Sequence, residues 1–506
     1  GKGNYKGKLS RKFKIVKGSP GLYFAKKTVK RPVSLGSYTQ KPKKKVKGKM
    51  TYTYSSSKPS VATVNKKTGK VTPKKIGTTV ITVKNKATKN YKAGKATYKL
   101  TVRALTKDEL KFNFANYITN EIPLSTFRMF YNPTQAKAHY RKEWNIGDAG
   151  VCFGMSAGSG MLRTAGSGLT PAKFKSGAKK PSQLSKGNRF KTKGVTLKSV
   201  IEAMHLSQAA PQCQKVMNKN TNNIKGLVAT VKSGYPAIIC MRSYWGLGGH
   251  AVEGYKYEKL NKEVDVIYVY DSSNFSPDGC IYLYKNNKGK YIDWYYSYYE
   301  GFFSPAAITY IPGKTYRSIW KNRKAAKKLG QMYVSSDNFK ILGSDGKVVA
   351  EMKDGDFSST SEDIFLAQTY DFEFEDNLVI LPSDKYTVQD TSGSSEKLTV
   401  TSIDENQSIE VTTDATAVVV ETVDDNSINK ATLRVAEGES YEVSVLDGTG
   451  GGEPDEIVFT GEGTGKAITL GTDDGDCIVK NAGDVQLEIN GVEKDFTVSG
   501  GVAEIK

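Results

Sequence analysis

No aspartate or glutamate occurs in the first 105 residues, although that stretch carries 30 lysines and arginines. A block of one charge sign informs on partners and solubility rather than on fold. Histidine is almost as scarce. The chain has three, His139, His205 and His250, so few acid–base arrangements are open to it. Five cysteines (Cys152, Cys213, Cys240, Cys280 and Cys477) in 506 residues do not make a disulfide framework. With Cys152 kept as a thiol, four remain, of which Cys240 and Cys280 could sit on neighbouring strands, and the pairing stays open. No apolar run approaches the roughly 18–20 residues that span a membrane. Zinc-finger spacings, basic-zipper heptads and aromatic stacking platforms are missing too, which argues against nucleic acid as a partner. Asp473-Asp474-Gly475-Asp476 lacks the alternating ligands and distal glutamate of a calcium loop and reads as a solvated turn. No metal or cofactor is expected.

What is present divides by charge. Residues 106–330 hold 34 basic and 14 acidic side chains, and residues 331–506 hold 11 and 37, so a formal net charge of +24 hides two opposed blocks. The length suggests three or four domains. The basic block has two readings: solvated, strand-borne lysines, or a module that holds anionic cell-wall polymers or glycans. The acidic tail is a further candidate partner, docking on the basic part to mask a cleft or to keep the protein soluble. A chain that opens Gly-Lys-Gly predicts an export signal already removed.

Residues 1–19 read as a basic, flexible lead-in. From 20 to 104, runs such as Met50-Thr-Tyr-Thr-Tyr54, Val61-Ala-Thr-Val64 and Ala96-Thr-Tyr-Lys-Leu-Thr-Val102 alternate or cluster β-branched residues between turns. Ser55-Ser-Ser-Lys-Pro-Ser-Val-Ala-Thr-Val64, Thr68-Gly-Lys-Val71 and Gly77-Thr-Thr-Val-Ile-Thr-Val83 resemble the signature of the bacterial Ig-like group 2 domain. The resemblance implies a small β-sandwich displayed on secreted or surface proteins, as spacer or adhesive element. Its usual acidic positions are lysines here.

Residues 105–313 mix helix and strand. Thr106 and Glu109 form a capping box that predicts a helix to about residue 118. Further helices are predicted at 153–163, 195–204 and 224–231, a loop at 181–194, and strands at 235–241, 250–257, 264–270, 281–284 and 306–311. Residues 314–329 read as a basic linker with a short helix. Residues 330–506 are acidic, Thr/Val-rich and dense in turns, which predicts one or two β-sandwich modules, about 330–447 and 454–506, divided at the glycine cluster 448–453. The fold class is therefore multidomain: an Ig-like N-terminal β-sandwich, a central α+β domain and C-terminal all-β sandwich modules.

The chemistry concentrates in two motifs. Gly147 and Gly150 permit a tight loop before Cys152, and a small-residue helix follows it, so a helix N-terminus points at the sulfur. Gly248-Gly249-His250-Ala251-Val252 opens a strand with a second activating group, an imidazole. Asp271, at the end of the next strand, is the expected partner of the second ring nitrogen, with Asn274 as the alternative. A buried structural cysteine and a satisfied core histidine are the plain alternatives. His205 reads as core and His139 as a surface or loop residue.

In order, Ile224–Lys232, Gly234-Tyr235-Pro236, 237–241, His250-Ala251-Val252 and Tyr268-Val-Tyr-Asp271 resemble the papain-like cysteine peptidases, in particular the compact bacterial staphopains and bacteriocin-leader peptidases. The resemblance implies Cys152 as nucleophile, His250 as general base and acid, and Asp271 as orienter. It also asks for a glutamine about six residues before the cysteine, where Ile146 stands instead. Asn145 with the Cys152 backbone N–H is the expected oxyanion site. Tyr244 and Trp245 are expected cleft walls. The function expected is a secreted or surface-associated bacterial cysteine endopeptidase. The alternatives are another acyl transfer on the same residues, transglutaminase-like or on cell-wall peptides, and an inactive surface adhesin.

Overall fold

The computed structural model describes residues 10–506 apart from 144, 243–248, 274–278, 298–306, 325–328, 369–374, 424–427, 449–451, 474–475, 483, 495, 500–501 and 506. The chain divides into two compact units, Gly1–Leu105 and Thr106–Lys506.

The first unit is a β-sandwich. One sheet pairs β1 (Thr28–Pro32), β7 (Gly94–Arg103), β6 (Gly77–Asn85) and β3 (Tyr52–Ser56); the other pairs β2 (Tyr38–Thr39), β5 (Lys70–Pro73) and β4 (Ala62–Val64). Alternation decides which side chains enter. Ile81, Val83, Tyr98, Leu100 and Val102 are buried with Val71 and Ala62, while Lys84, Lys95 and Lys99 between them are exposed. β1 runs parallel to β7, Thr28 opposite Lys99 through Pro32 opposite Arg103.

In the second unit, six strands form one antiparallel sheet in the order β12-β11-β10-β9-β8-β13. These are β8 (Ala237–Arg242), β9 (Gly249–Lys259), β10 (Val264–Tyr270), β11 (Gly279–Lys285), β12 (Tyr291–Tyr296) and β13 (Ala307–Pro312). Cys240 on β8 and Cys280 on β11 are therefore separated by two strands rather than on neighbouring ones, and all five cysteines are buried. The helices are α1 (Lys107–Leu110), α2 (Leu124–Phe130), α3 (Pro133–Glu143), α4 (Cys152–Leu162), α5 (Pro171–Phe174), α6 (Leu197–Leu206), α7 (Pro211–Asn220), α8 (Ile224–Lys232) and α9 (Gly313–Lys321). The helix expected to reach residue 118 stops at Leu110. Tertiary partners take the backbone instead: the Phe112 N–H donates to the Tyr270 hydroxyl, and the Asn116 N–H to the Ser272 carbonyl. α9 occupies the segment expected as a linker and is anchored by buried Tyr316 and Trp320.

Residues 329–506 form a nine-stranded and a ten-stranded sheet around one apolar core. Ser440–Asp447 and Asp455–Glu462, on either side of the glycine cluster, pair in full register, so 448–453 is a connection within one sheet rather than a boundary between modules. These sheets are fastened to α3. Ala138 joins Tyr333, Phe365, Leu378, Ile380 and Leu446 in one apolar cluster. His139 is fully buried rather than on the surface, and its ring bonds Gln331 at 3.0 Å and the Tyr333 hydroxyl at 3.1 Å. Tyr333 also donates to buried Glu143. Around this centre Lys142 pairs with Asp376 (3.1 Å) and Glu410 (2.9 Å), and Lys137 and Arg141 both pair with Glu456. The acidic tail thus docks on the basic central region through α3; none of these contacts uses Cys152, His250 or Asp271.

Candidate active site

Cys152 is the first residue of α4, so its side chain sits where unbonded helical N–H groups and the positive end of the dipole converge. The loop before it needs Gly150, which lies at φ +103° and where a Cβ would press on the Asn116 side chain at 2.7 Å. Gly154, one turn into the helix, lets α4 touch the α6 backbone at Ile201, where any Cβ would collide with the carbonyl oxygen. Close packing is what this glycine is for, and it fixes the helix that carries the thiol.

β9 lies against the same end of α4. The Ala251 N–H donates to Cys152 Sγ at 3.3 Å, and Ser156, one turn on, donates its hydroxyl to the Ala251 carbonyl at 3.1 Å. The residue before Ala251 is His250, whose Nε2 lies 2.9 Å from Asp271 Oδ1. Against an ionised carboxylate that nitrogen carries the hydrogen and donates it. Asp271 also accepts from the Ser273 N–H (2.8 Å) and, on its second oxygen, from the Tyr296 hydroxyl (2.7 Å). Burial opposes ionisation of Asp271, but the charge and hydrogen bond of His250, with Tyr296 and Ser273, outweigh it and hold the carboxyl below its ordinary range. Cys152, His250 and Asp271 are all buried.

The Asn145 carbonyl accepts the Asp148 N–H in the turn after α3, and no hydrogen bond among the described residues links its side chain to Cys152, His250 or Asp271. The amide that reaches the nucleophile loop is Asn116. Its Oδ1 accepts the Val151 N–H at 2.8 Å and its Nδ2 donates to Ser273 Oγ at 3.2 Å, tying the residue before Cys152 to the loop after Asp271. Neither Asn116 nor Tyr296 was singled out by sequence reasoning, and no motif marks them. Tyr244, Trp245 and Asn274 lie outside the described residues. His205 is buried and bonds the Ile146 carbonyl at 3.0 Å, bracing the loop before Cys152 from α6.

Beneath the site, on the same strand, Glu253 is buried against α4, and burial pushes its carboxyl well above the ordinary range. Among the described residues no group of three or more histidine, cysteine, aspartate or glutamate side chains is gathered to hold a metal, and no helix is long and apolar enough to cross a membrane.

Comparison with known proteins bears on the first unit. A family model described as the intimin immunoglobulin-like domain matches residues 37–88. No curated protein matches the chain. The N-terminal unit is thus an Ig-like domain by sequence as well as by its sandwich of sheets, with an intimin-type match where the group 2 signature was expected.

Proposed function

We propose that the second unit is a papain-like cysteine endopeptidase with Cys152 as nucleophile. One observation carries this reading: a helix-start cysteine whose sulfur is bonded by the backbone N–H next to a histidine that is itself bonded to a buried aspartate. The α4 N-terminus and the Ala251 N–H both favour a negative sulfur. With Nε2 given to Asp271, Nδ1 is the His250 nitrogen that takes the thiol proton. The thiolate then adds to the scissile carbonyl, and the Cys152 backbone N–H, at the helix start, faces the oxyanion. His250 passes its proton to the departing amine, leaving an acyl-enzyme, and water, deprotonated by the same nitrogen, releases the acid. Asp271 keeps the imidazole in the tautomer this sequence needs. Tyr296 and Asn116 are positioning residues, the first for Asp271 and the second for the loop that presents Cys152.

The intimin-type module supports placement at a bacterial surface or outside the cell. Labelling with an epoxide thiol-protease probe tests the chemistry: modification at Cys152 and casein hydrolysis that Cys152→Ala lowers by about a thousandfold or more are expected. Full activity in Cys152→Ala would sink the proposal. Amine incorporation or muropeptide release in place of casein cleavage would move the same residues to another acyl transfer.

A further inference from the structure

We propose that the outer face of the β1-β7-β6-β3 sheet in the first unit binds a linear phosphodiester polymer that lacks bases. This stands independently of the peptidase reading. Strand alternation puts Lys30, Lys84, Lys95 and Lys99 on that one face, all exposed. Lys84 is directly opposite Lys95 across the β6–β7 ladder. A like-charge pair at such a site destabilises a sheet, because the Cβ atoms stand only about 5 Å apart. The unit cannot relieve it, since residues 1–105 contain no carboxylate. An anion bridging both ammonium groups turns that repulsion into attraction.

The spacing extends the site along the strand. Lys99 follows Lys95 by four residues, about 13 Å at the strand rise, and Lys30 is level with Thr101, about 20 Å from Lys95. A row of that length suits a polymer rather than a single anion. Between the lysines the face offers hydroxyls, with Thr82 opposite Thr97. The surface is therefore rich in donors and offers no charged acceptor, the complement of a repeating acceptor-only group such as a phosphodiester. Phe24, Tyr54 and Tyr98 are buried, and the exposed Phe13 and Tyr23 lie outside the strands of this sheet. Among the described residues its four strands present no outward ring on which bases or sugar rings could stack, which disfavours single-stranded nucleic acid and polysaccharides.

Binding of poly(glycerol phosphate) to the full chain, followed by calorimetry at 50 and 200 mM salt, tests the proposal. The variant Lys84→Gln/Lys95→Gln/Lys99→Gln is expected to bind about tenfold or more weakly at low salt, with the log–log salt slope reduced by about two. A control, Lys58→Gln/Lys66→Gln/Lys67→Gln, removes three exposed lysines from loops off this face and should leave affinity within about twofold. Equal weakening in both variants would mean diffuse net charge rather than a face, and would overturn the proposal. So would the absence of binding at 50 mM salt, or binding to single-stranded DNA or polygalacturonate as tight as to the phosphodiester polymer.

Discussion

The two basic regions of the chain handle the same excess of lysine in opposite ways. The N-terminal sandwich sets like charges side by side, opposing Lys84 and Lys95 on adjacent strands. The central region instead uses part of its charge inside the molecule. Lys137, Arg141 and Lys142 of α3 meet Glu456, Asp376 and Glu410 of the C-terminal sheets, around a buried centre of His139, Glu143, Gln331 and Tyr333. Positive charge is in one case a surface offered outward and in the other the means by which two parts of one unit hold together. A sequence net charge does not distinguish these cases; the position of carboxylates does.

Deleting residues 331–506 should break this comparison most sharply. It strips Tyr333, Gln331 and the apolar cluster from α3, exposing Ala138 and leaving Glu143 and His139 without them. Loss of soluble, Cys152-labelled second unit is expected, with phosphodiester binding by the first unit unchanged. Retained labelling would show that the C-terminal sheets are dispensable. Lys142→Met is the next largest effect. It leaves Asp376 and Glu410 facing each other without their shared cation, and about 1–3 kcal/mol of unfolding free energy should be lost, between the values for exposed and buried pairs. The equivalent change at Lys95 should cost nothing by the same denaturant titration.

Acid separates the units next. Asp271 has a folded pKa below its unfolded value, so it contributes stability above the ordinary carboxylate range that is lost as pH falls through the depressed value. Glu410 and Glu456, also held low against the opposing effect of burial by Lys142, Lys137 and Arg141, add to the same limb. Glu253 acts with the opposite sign. Its raised value gives stability that is complete below the ordinary range and is lost as pH rises, so Glu253→Gln should flatten the alkaline side. The first unit has no Asp, Glu or His side chain to titrate, and its melting should be level from about pH 3 to 8. Calorimetric melting across that range checks all three statements. The smallest expected effect is a gain: Lys84→Glu converts the opposed lysines into an ion pair and should stabilise the sandwich by about 0.2–1 kcal/mol.

Short-range patterns carried most of what could be read in advance. β-Branched alternation gave β6 and β7 nearly to their ends, and β10 was readable because six of its seven residues are valine, isoleucine or tyrosine. Cys152, His250 and Asp271 stood out because each lies in a local motif. Asn116 and Tyr296 did not. They sit 35 residues before Val151 and 25 residues after Asp271, the residues they hold, and only the packed fold brings them there. His139 was misread for the same reason: its burial is supplied by Gln331 and Tyr333, about 190 residues on. The short α1 shows the converse, a good capping signal ended by tertiary hydrogen bonds at Phe112 and Asn116.

The parallel pairing of β1 with β7 has a mechanical consequence. The first and last strands of the sandwich run side by side in the same direction, so tension applied between the two ends of the unit pulls along the strands rather than across them. The hydrogen bonds from Thr28 opposite Lys99 to Pro32 opposite Arg103 then share the load in shear and must fail together, instead of opening one after another. A module built this way transmits pull before it extends. Force spectroscopy on the chain would read this as a single high rupture event for the first unit, and gradual extension at low force would refute it.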